Sequence, residues 1–350
     1  MQRLYRLVPS GWFSEALLVL SLVLLGFASA QQAPAISPAK AWAASNAENL
    51  NSLALADSQL RAEPPLFGEK ADFPTFSREL LQVKWRMGDP IDLYVIKPKG
   101  VAKPPVVLYL YGFPTDTERF RDENYCARVT KDGFAAIGFV SALTGQRYHD
   151  RPMKEWFISE LQESLVSSVH DVQMILNYLS DRGDLDTSKI GMFGTGSGGT
   201  IAILAAAVDP RIQALDLLDP WGDWPEWLPK SDLVPDEERP NFVKAEFLQK
   251  VAPFDPVKWL PQLTSRHIRL QHVMDDEDTP KAAKERIELA LPQNAQLVRY
   301  DNTRQLFSAN AGGRLFQWVK DQLRPVQLQT VQNVKKSEPT LPGNANGHRD

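Results

Sequence analysis

Short apolar runs alternate with amphipathic helical patterns along most of the chain. Runs typical of strands buried on both faces of a sheet are "PPVVLYLYG", "GFAAIGFV", "KIGMFG", "IQALDLL", "HIRLQHV" and "AQLVRY". Most of them are followed by helical spacing, and the longest helical pattern, "SELQESLVSSVHDVQMILNYLSDRG", stops at Gly183. Because strand and helix alternate, the pattern predicts a mostly parallel central sheet with helices on both faces.

The N-terminal part of the pattern differs from the rest. The stretch "ELLQVKWRMGDPIDLYVIKPKG" alternates apolar and polar residues on both sides of Gly88–Asp89, which is typical of a β-hairpin. Residues 31–75 are rich in Ala, Pro, Gln and Ser and are predicted to form an arm or linker. The α/β domain is therefore expected at residues 76–324, and the polar tail 325–350 is expected to be disordered.

The segment 221–263 interrupts the alternation and predicts a small Trp-rich insert. Its stretch "WGDWPEWLP" contains Trp221, Trp224 and Trp227. These side chains would form aromatic walls for a carbohydrate or acyl ligand, or else the core of a hydrophobic cap.

The first 30 residues have the pattern of an export signal. Arg3 and Arg6 precede the apolar run "ALLVLSLVLLG", and "ASA" at residues 28–30 fits a cleavage site between small residues. We expect residues 1–30 to be a cleaved signal peptide and the mature protein to be periplasmic or extracellular, without membrane contact. An uncleaved membrane anchor is the alternative.

Composition excludes some classes of function. The formal net charge of the 350 residues is −4, so the chain lacks the basic excess of a nucleic-acid-binding protein. Cys126 is the single cysteine, which rules out an intrachain disulfide. Its helical, apolar surroundings predict a buried and unreactive thiol.

The stretch "GMFGTGSGGT" fits two motifs. Gly194, Gly196 and Gly199 form G-x-G-x-x-G between a strand and a helix, and Asp216 and Asp219 follow near the end of the next strand, as in a dinucleotide site. Such a loop normally follows the first strand of its unit, whereas a hairpin and two buried strands come first here. The same letters fit a nucleophile elbow, and that interpretation explains the rest of the chain, so no cofactor is expected.

If the glycine-rich stretch is a nucleophile elbow, the order of elements over residues 80–323 resembles the α/β-hydrolase fold. The resemblance is strongest to the dienelactone-hydrolase and prolyl-oligopeptidase-type branches of that fold. The local matches are "LDTSKIGMFGTGSGG" for the elbow, "APFDPVKWLPQL" before the acid-bearing strand, and "HIRLQHVMDDEDTP" for that strand and its loop. The resemblance implies an esterase or peptidase ancestry and a Ser-His-Asp triad.

The resemblance also implies that this triad is incomplete. The serine position falls on Gly196, and the histidine position falls on Gln305. The acid position falls on Asp276, with Asp275 and Asp278 as near alternatives. Without a hydroxyl and a base, triad hydrolysis is not expected.

The loop that helps to form the oxyanion hole in the family departs from the family pattern as well, because Tyr111–Gly112 stands where the family usually has His-Gly. We therefore expect a non-catalytic homologue whose cleft, lined by Tyr111, Gly112, Trp221 and Trp224, binds a small acyl or carbohydrate ligand.

A working esterase is the rival hypothesis. It would use Ser197 as the nucleophile of a shifted elbow and His149, after the second buried strand, as its base. The acidic run "DDED" at residues 275–278 could hold Ca²⁺, although a solvated loop is the default interpretation and no metal is expected.

Overall fold

The computed structural model describes residues 48–57, 60, 63–86, 89–113, 117–142 and 157–324. Several predictions lie outside the described residues: the signal peptide, the polar tail, Gly88 of the hairpin turn and the candidate base His149. In the part of the chain that is described, no helix is both long and apolar enough to cross a membrane.

One sheet of nine strands runs through the described residues in the order β1-β2-β3-β5-β4-β6-β7-β8-β9. The pairs β1–β2, β2–β3 and β3–β5 are antiparallel, and all later neighbours are parallel. The strands are β1 (Leu66–Asp72), β2 (Phe76–Val83), β3 (Ile91–Pro98), β4 (Pro105–Leu110), β5 (Ala135–Phe139), β6 (Asp186–Thr195), β7 (Ile212–Leu218), β8 (His267–Val273) and β9 (Gln296–Tyr300).

Helices cover both faces of the sheet. Side chains of α1 and α10 pack against one face, and those of α2, α3 and α8 pack against the other. The helices are α1 (Glu123–Thr130), α2 (Leu161–Arg182), α3 (Ser197–Val208), α4 (Trp224–Lys230), α5 (Arg239–Phe242), α6 (Ala245–Val251), α7 (Pro256–Trp259), α8 (Lys281–Leu289), α9 (Thr303–Ala309) and α10 (Gln317–Leu323). Short 3-10 helices lie at Leu55–Asp57, Glu118–Phe120, Phe157–Glu160, Ala252–Phe254, Leu260–Gln262 and Ala311–Phe316.

This architecture confirms the predicted α/β-hydrolase fold. Five of the six apolar runs form the central parallel strands β4–β8, and β5 is buried along its whole length, as expected for a strand covered on both faces. The sixth run forms β9 at the edge of the sheet, where only Tyr300 is buried. The hairpin signal corresponds to the antiparallel pair β2–β3. The long helix α2 ends before Gly183, which adopts φ 72 and so closes the helix in the left-handed region.

The sheet begins earlier than the predicted domain boundary at residue 76. The strand β1 pairs with β2 along Leu66–Asp72, so these residues belong to the sheet rather than to an arm or linker. Its sequence, LFGEKAD, does not alternate apolar and polar residues, and nearly all of the strand is exposed at the edge of the sheet. Without a buried face, an edge strand of this kind leaves no period-2 signal in the sequence.

The Trp-rich insert lies between β7 and β8 and carries α4–α7. Trp221 stacks on Trp227 with ring centroids 5.0 Å apart, and Trp224 meets Trp227 edge-on at 5.8 Å. Asp255 accepts the backbone N–H of Trp224 at 2.9 Å, which fixes the start of α4 against α7. The three indoles form part of the main hydrophobic core, which favours the cap over the open aromatic wall.

Candidate active site

The turn from β6 into α3 has the geometry of a nucleophile elbow. Gly196 lies between Thr195, the last residue of the strand, and Ser197, the first residue of the helix. Its backbone adopts φ 51 and ψ −124, a conformation that strains any residue with a side chain. The structure thus places Gly196 at the corner where this fold holds its nucleophile.

The neighbouring glycines are explained by close packing and need no phosphate ligand. A Cβ at Gly194 would lie 2.5 Å from the carbonyl oxygen of Gly198. A Cβ at Gly198 would lie 2.4 Å from the carbonyl oxygen of Leu110 on β4. Both contacts are far below van der Waals distance, so the helix can approach the sheet only if these positions lack side chains.

The acids of the dinucleotide hypothesis are already engaged. Asp216 is fully buried, and its two oxygens accept from Nε and the terminal nitrogen of Arg269 at 2.9 and 2.7 Å. The amide of Gln271 donates to the same carboxylate at 2.8 Å. Asp219 is also bound within the fold, as described below, which leaves neither acid free for a ribose.

Trp221 packs against the elbow. Its Nε1 lies 3.1 Å from the position that a Cβ at residue 196 would occupy, and its Cε2 lies 3.4 Å from it. The Cα of Gly112, in the loop after β4, is 3.7 Å from the same point. A nucleophile side chain would therefore meet an indole ring where an active enzyme needs space for substrate.

Ser197 faces the oxyanion loop rather than the elbow corner. The side chain is fully buried, and its Oγ accepts the backbone N–H of Phe113 at 3.0 Å. The adjacent N–H of Gly112 donates to Oγ1 of Thr195 at 3.1 Å. In an active hydrolase, amides of this loop are aimed at the substrate oxygen. Here a serine side chain takes one of those hydrogen bonds.

Tyr111 turns away from the expected cleft, contrary to its prediction as a lining residue. Its hydroxyl lies 2.6 Å from that of Tyr125, and the ring packs beside Phe120 and Phe193. The guanidinium of Arg119 covers the ring at 3.9 Å from the centroid. Burial raises the pKa of this phenol, so it stays neutral.

Trp221 and Trp224 are also buried, at 2% and 0% exposure, and do not form open walls.

Asp276 follows β8, the strand that bears the acid in this fold. The side chain is half-buried, and its Oδ1 accepts the N–H of Asp278 at 2.9 Å. Burial, followed by the charge of Asp219, raises the pKa of Asp276 to about 6.

Within the described ranges, no three His, Cys, Asp or Glu side chains are arranged to hold a metal ion, so the Ca²⁺ hypothesis for this loop gains no support.

Gln305 is part of a helix cap. It lies exposed in the first turn of α9, and its backbone N–H donates to Oδ1 of Asn302 at 3.0 Å. Its side-chain Oε1 in turn accepts the backbone N–H of Asp301. These reciprocal hydrogen bonds resemble a capping box, which gives the residue at the histidine position a structural role.

The sequence interpretation missed a buried pair of an acid and a histidine. Asp219 directly follows β7 with φ 44, and its Oδ1 lies 3.0 Å from Nδ1 of His272 on β8. Both of its oxygens also accept the N–H of Val273, at 3.1 and 3.2 Å. The carboxylate only accepts, so Nδ1 carries the proton.

This pair has the acid-to-histidine contact of a triad but lacks its third member. The Nε2 of His272 is buried and has no hydrogen-bond partner among the described residues. The signal available in the sequence was an aspartate directly after one buried strand and a histidine near the end of the next. Asp219 entered the sequence interpretation only within the dinucleotide hypothesis, which was rejected, and His272 was given no role in the site.

A surface pocket of about 410 Å³ lies between α4 and α8, away from the elbow. None of the residues predicted for the active site lines it. Its lining residues are Asp223, Pro225, Glu226, Ala282, Glu285, Arg286 and Leu289.

The elbow, the sheet order and the acid position define a protein of the α/β-hydrolase superfamily. Residues 91–216 match the model of the Dienelactone hydrolase family, which is consistent with the resemblance seen in the motifs. A Yersinia pestis protein described as a carboxymethylenebutenolidase is 30% identical over 134 residues. That match covers 36% of this chain and 48% of the relative, so the chain spans about half the length of the curated relative it matches.

Solved structures agree on the fold. The acetyl xylan esterase of Paenibacillus sp. R4 has a TM-score of 0.59 and 17% identity, over 80% of this chain and 92% of that one. Acetyl xylan esterase 1 of Thermoanaerobacterium sp. JW/SL YS485 has a TM-score of 0.56 and 15% identity, over 73% of this chain and 87% of that one. At this level of identity the likeness concerns the fold alone.

Proposed function

We propose that the protein is a non-catalytic homologue of the α/β-hydrolase esterases, one that has kept the elbow as a structural corner and lost triad hydrolysis. The observation that carries the proposal is the corner itself, where Gly196 adopts the nucleophile conformation and Trp221 packs against it. Acyl transfer by a triad needs a hydroxyl at this point and an imidazole to activate it. Gly196 and Gln305 supply neither group.

The contacts of Ser197 support the same proposal over the rival esterase. An elbow nucleophile projects from the corner toward a base, whereas Ser197 is the first residue of α3 and its Oγ is bound to the N–H of Phe113. The serine therefore occupies a donor that would otherwise stabilise an oxyanion.

A ligand, if bound at the carboxyl edge of the sheet, would be held without being cleaved. The tryptophans proposed as its walls are packed into the insert, so recognition would fall to other groups of the cleft or require Trp221 to move. The acyl or carbohydrate nature of such a ligand is part of this proposal and rests on the hydrolase ancestry of the fold.

A fluorophosphonate probe tests the proposal directly, because it labels activated serine nucleophiles. We expect no labelling of the purified protein, and no turnover of short p-nitrophenyl esters above background. An active serine esterase assayed in parallel shows that the reagents work. Labelling of the wild type that disappears in Ser197→Ala would overturn the proposal and establish the rival esterase.

Export is proposed on the pattern of residues 1–30 alone. Full-length protein expressed in a Gram-negative host should be recovered from the periplasm or medium with Gln31 as its first residue, as determined by N-terminal sequencing. Recovery from the membrane fraction with an intact N-terminus would favour the anchor instead.

A further inference from the structure

Trp221, the third residue after β7, turns its indole toward the elbow. The face of this ring stacks on Trp227, with ring centroids 5.0 Å apart and 30° between the two planes. The ring edge that carries Nε1 lies 3.1 Å from the Cβ position of Gly196. A single indole therefore fills the space between an aromatic face and the glycine corner.

The main chain around Trp221 is held in place by two helices. The carbonyl oxygen of Trp221 accepts Oγ1 of Thr200 on α3 at 2.7 Å. The next residue, Gly222, packs so closely on α7 that a Cβ there would lie 2.6 Å from Cγ of Pro256. With the backbone held on both sides, the indole leaves the corner only by rotation about its side-chain bonds.

Trp224 belongs to the same cluster of indoles but does not contact the corner. It lies in α4, is fully buried and meets Trp227 edge-on at 5.8 Å. The three atoms nearest to the Cβ position of Gly196 belong instead to Trp221 and Gly112. Trp224 is therefore a matched control for Trp221, because its removal deletes the same side chain from the same cluster.

The walls around the corner would leave a slot for one flat ring if the indole of Trp221 were absent. The Cα of Gly112 lies 3.7 Å from the Cβ position of Gly196, and neither glycine has a side chain to fill the space. The ring of Trp227 would remain as a stacking surface. An aromatic face opposite bare backbone favours a planar aromatic ring, which stacks over its whole area.

We propose that Trp221 is the internal occupant of a binding site for a planar aromatic ring, the aryl part of an acyl ligand, and that such a ligand binds when the indole rotates away. The proposal rests on the proposed function, because the indole can stand at the corner only while residue 196 has no side chain. In the wild type the indole competes with the ligand. The apparent affinity is therefore lowered by the fraction of molecules in which the site is vacated.

Indole-3-acetate is the probe, titrated into the full-length protein and followed by calorimetry. Trp221→Ala should bind it at least about tenfold more tightly than the wild type, because the competing side chain is gone. Trp224→Ala should behave like the wild type, since the charged carboxylate of the probe keeps it out of a closed core cavity. No binding by Trp221→Ala, or an equal gain in both variants, would overturn the proposal.

A second test keeps Trp221 in place and introduces a thiol as a reporter at the corner. Gly196→Cys should react with iodoacetamide at least about tenfold more slowly than Gly100→Cys, which lies in an open turn, because the indole must first move away. Burial raises the pKa of Cys126 to about 11, so the native thiol does not interfere. Equal rates for the two introduced thiols would refute the proposal even if Trp221→Ala failed to fold. Labelling by a fluorophosphonate reports separately on the proposed function.

Discussion

Nε1 of Trp221 lies 3.1 Å from the position that the Cβ of a residue at 196 would occupy, so the indole and the glycine are fitted to each other. Glycine adopts the positive φ of the elbow without strain and leaves the volume that the indole uses. The absence of a side chain at residue 196 and the packing of the insert against the elbow are thus two aspects of one contact.

Gly196→Ser should lower the free energy of unfolding. Holding a side chain at φ 51 costs about 1–3 kcal/mol, and contact with Trp221 adds to this. Urea denaturation would measure the loss, with Gly100→Ser as a matched control, since Gly100 adopts φ 81 with nothing within 4 Å of its Cβ position. The control reports the backbone strain alone, so the excess at residue 196 reports the contact. A Gly196→Ser protein as stable as the parent would show that residue 196 is not at the strained corner.

The fold could be predicted because its signals are local. Apolar runs such as those of β4 and β5 are buried on both faces, and the helical patterns between them leave few arrangements other than a parallel sheet. The edge strand β1 escaped prediction because it has no buried face and therefore no hydrophobic period.

The sequence predicted only those parts of the candidate site whose position follows from the order of strands and helices along the chain. The corner at Gly196 follows directly from a strand, a glycine-rich turn and a helix. The directions of side chains do not follow from order. Tyr111 turns into an aromatic cluster and Ser197 onto a backbone amide, because of tertiary neighbours that no motif encodes. The pair of Asp219 and His272 joins two strands whose pairing had to be known first.

The ion pair of Asp216 and Arg269 should behave as a structural element. Asp216→Ala leaves a guanidinium in the interior without its carboxylate, and the expected loss is about 3–5 kcal/mol in the free energy of unfolding. The double variant Asp216→Ala with Arg269→Met removes both charges and should lose less than the sum of the losses in Asp216→Ala and Arg269→Met measured singly. A double-mutant cycle in urea measures the difference. Strict additivity would contradict the pairing.

Asp276 should make the protein less stable as the pH rises. Burial and the charge of Asp219 raise the pKa of Asp276 to about 6, above its value in the unfolded chain. The folded state therefore binds more protons between about pH 4 and 6, and stability falls across that window. Two pKa units correspond to about 3 kcal/mol, but solvent screening of this half-exposed group reduces the expected effect to about 1 kcal/mol.

The test is Asp276→Asn, whose oxygen can still accept the N–H of Asp278. Its free energy of unfolding should exceed that of the wild type by about 1 kcal/mol at pH 7.5 and by about zero at pH 4. The exposed neighbour Asp275→Asn serves as the control for the change in net charge. An equal effect of Asp276→Asn at both pH values would show that the carboxyl is not perturbed in the folded state.

A triad should be partly recoverable if Gly196, Asp276 and Gln305 occupy the nucleophile, acid and histidine positions. Gly196→Ser and Gln305→His should each be inert alone toward a fluorophosphonate, because one lacks the base and the other the hydroxyl. The two substitutions should then be combined with Trp221→Ala, which removes the indole from the corner. This triple variant should react with the probe at least about a hundredfold faster than Gly196→Ser with Trp221→Ala, because a general base usually contributes at least that factor. Reactivity should rise with pH through about 6.5 as the imidazole becomes neutral. Tyr111 does not obstruct this design, since its ring lies in the aromatic cluster. Equal labelling of the triple variant and of Gly196→Ser with Trp221→Ala would show that residue 305 does not stand where a base can reach the corner.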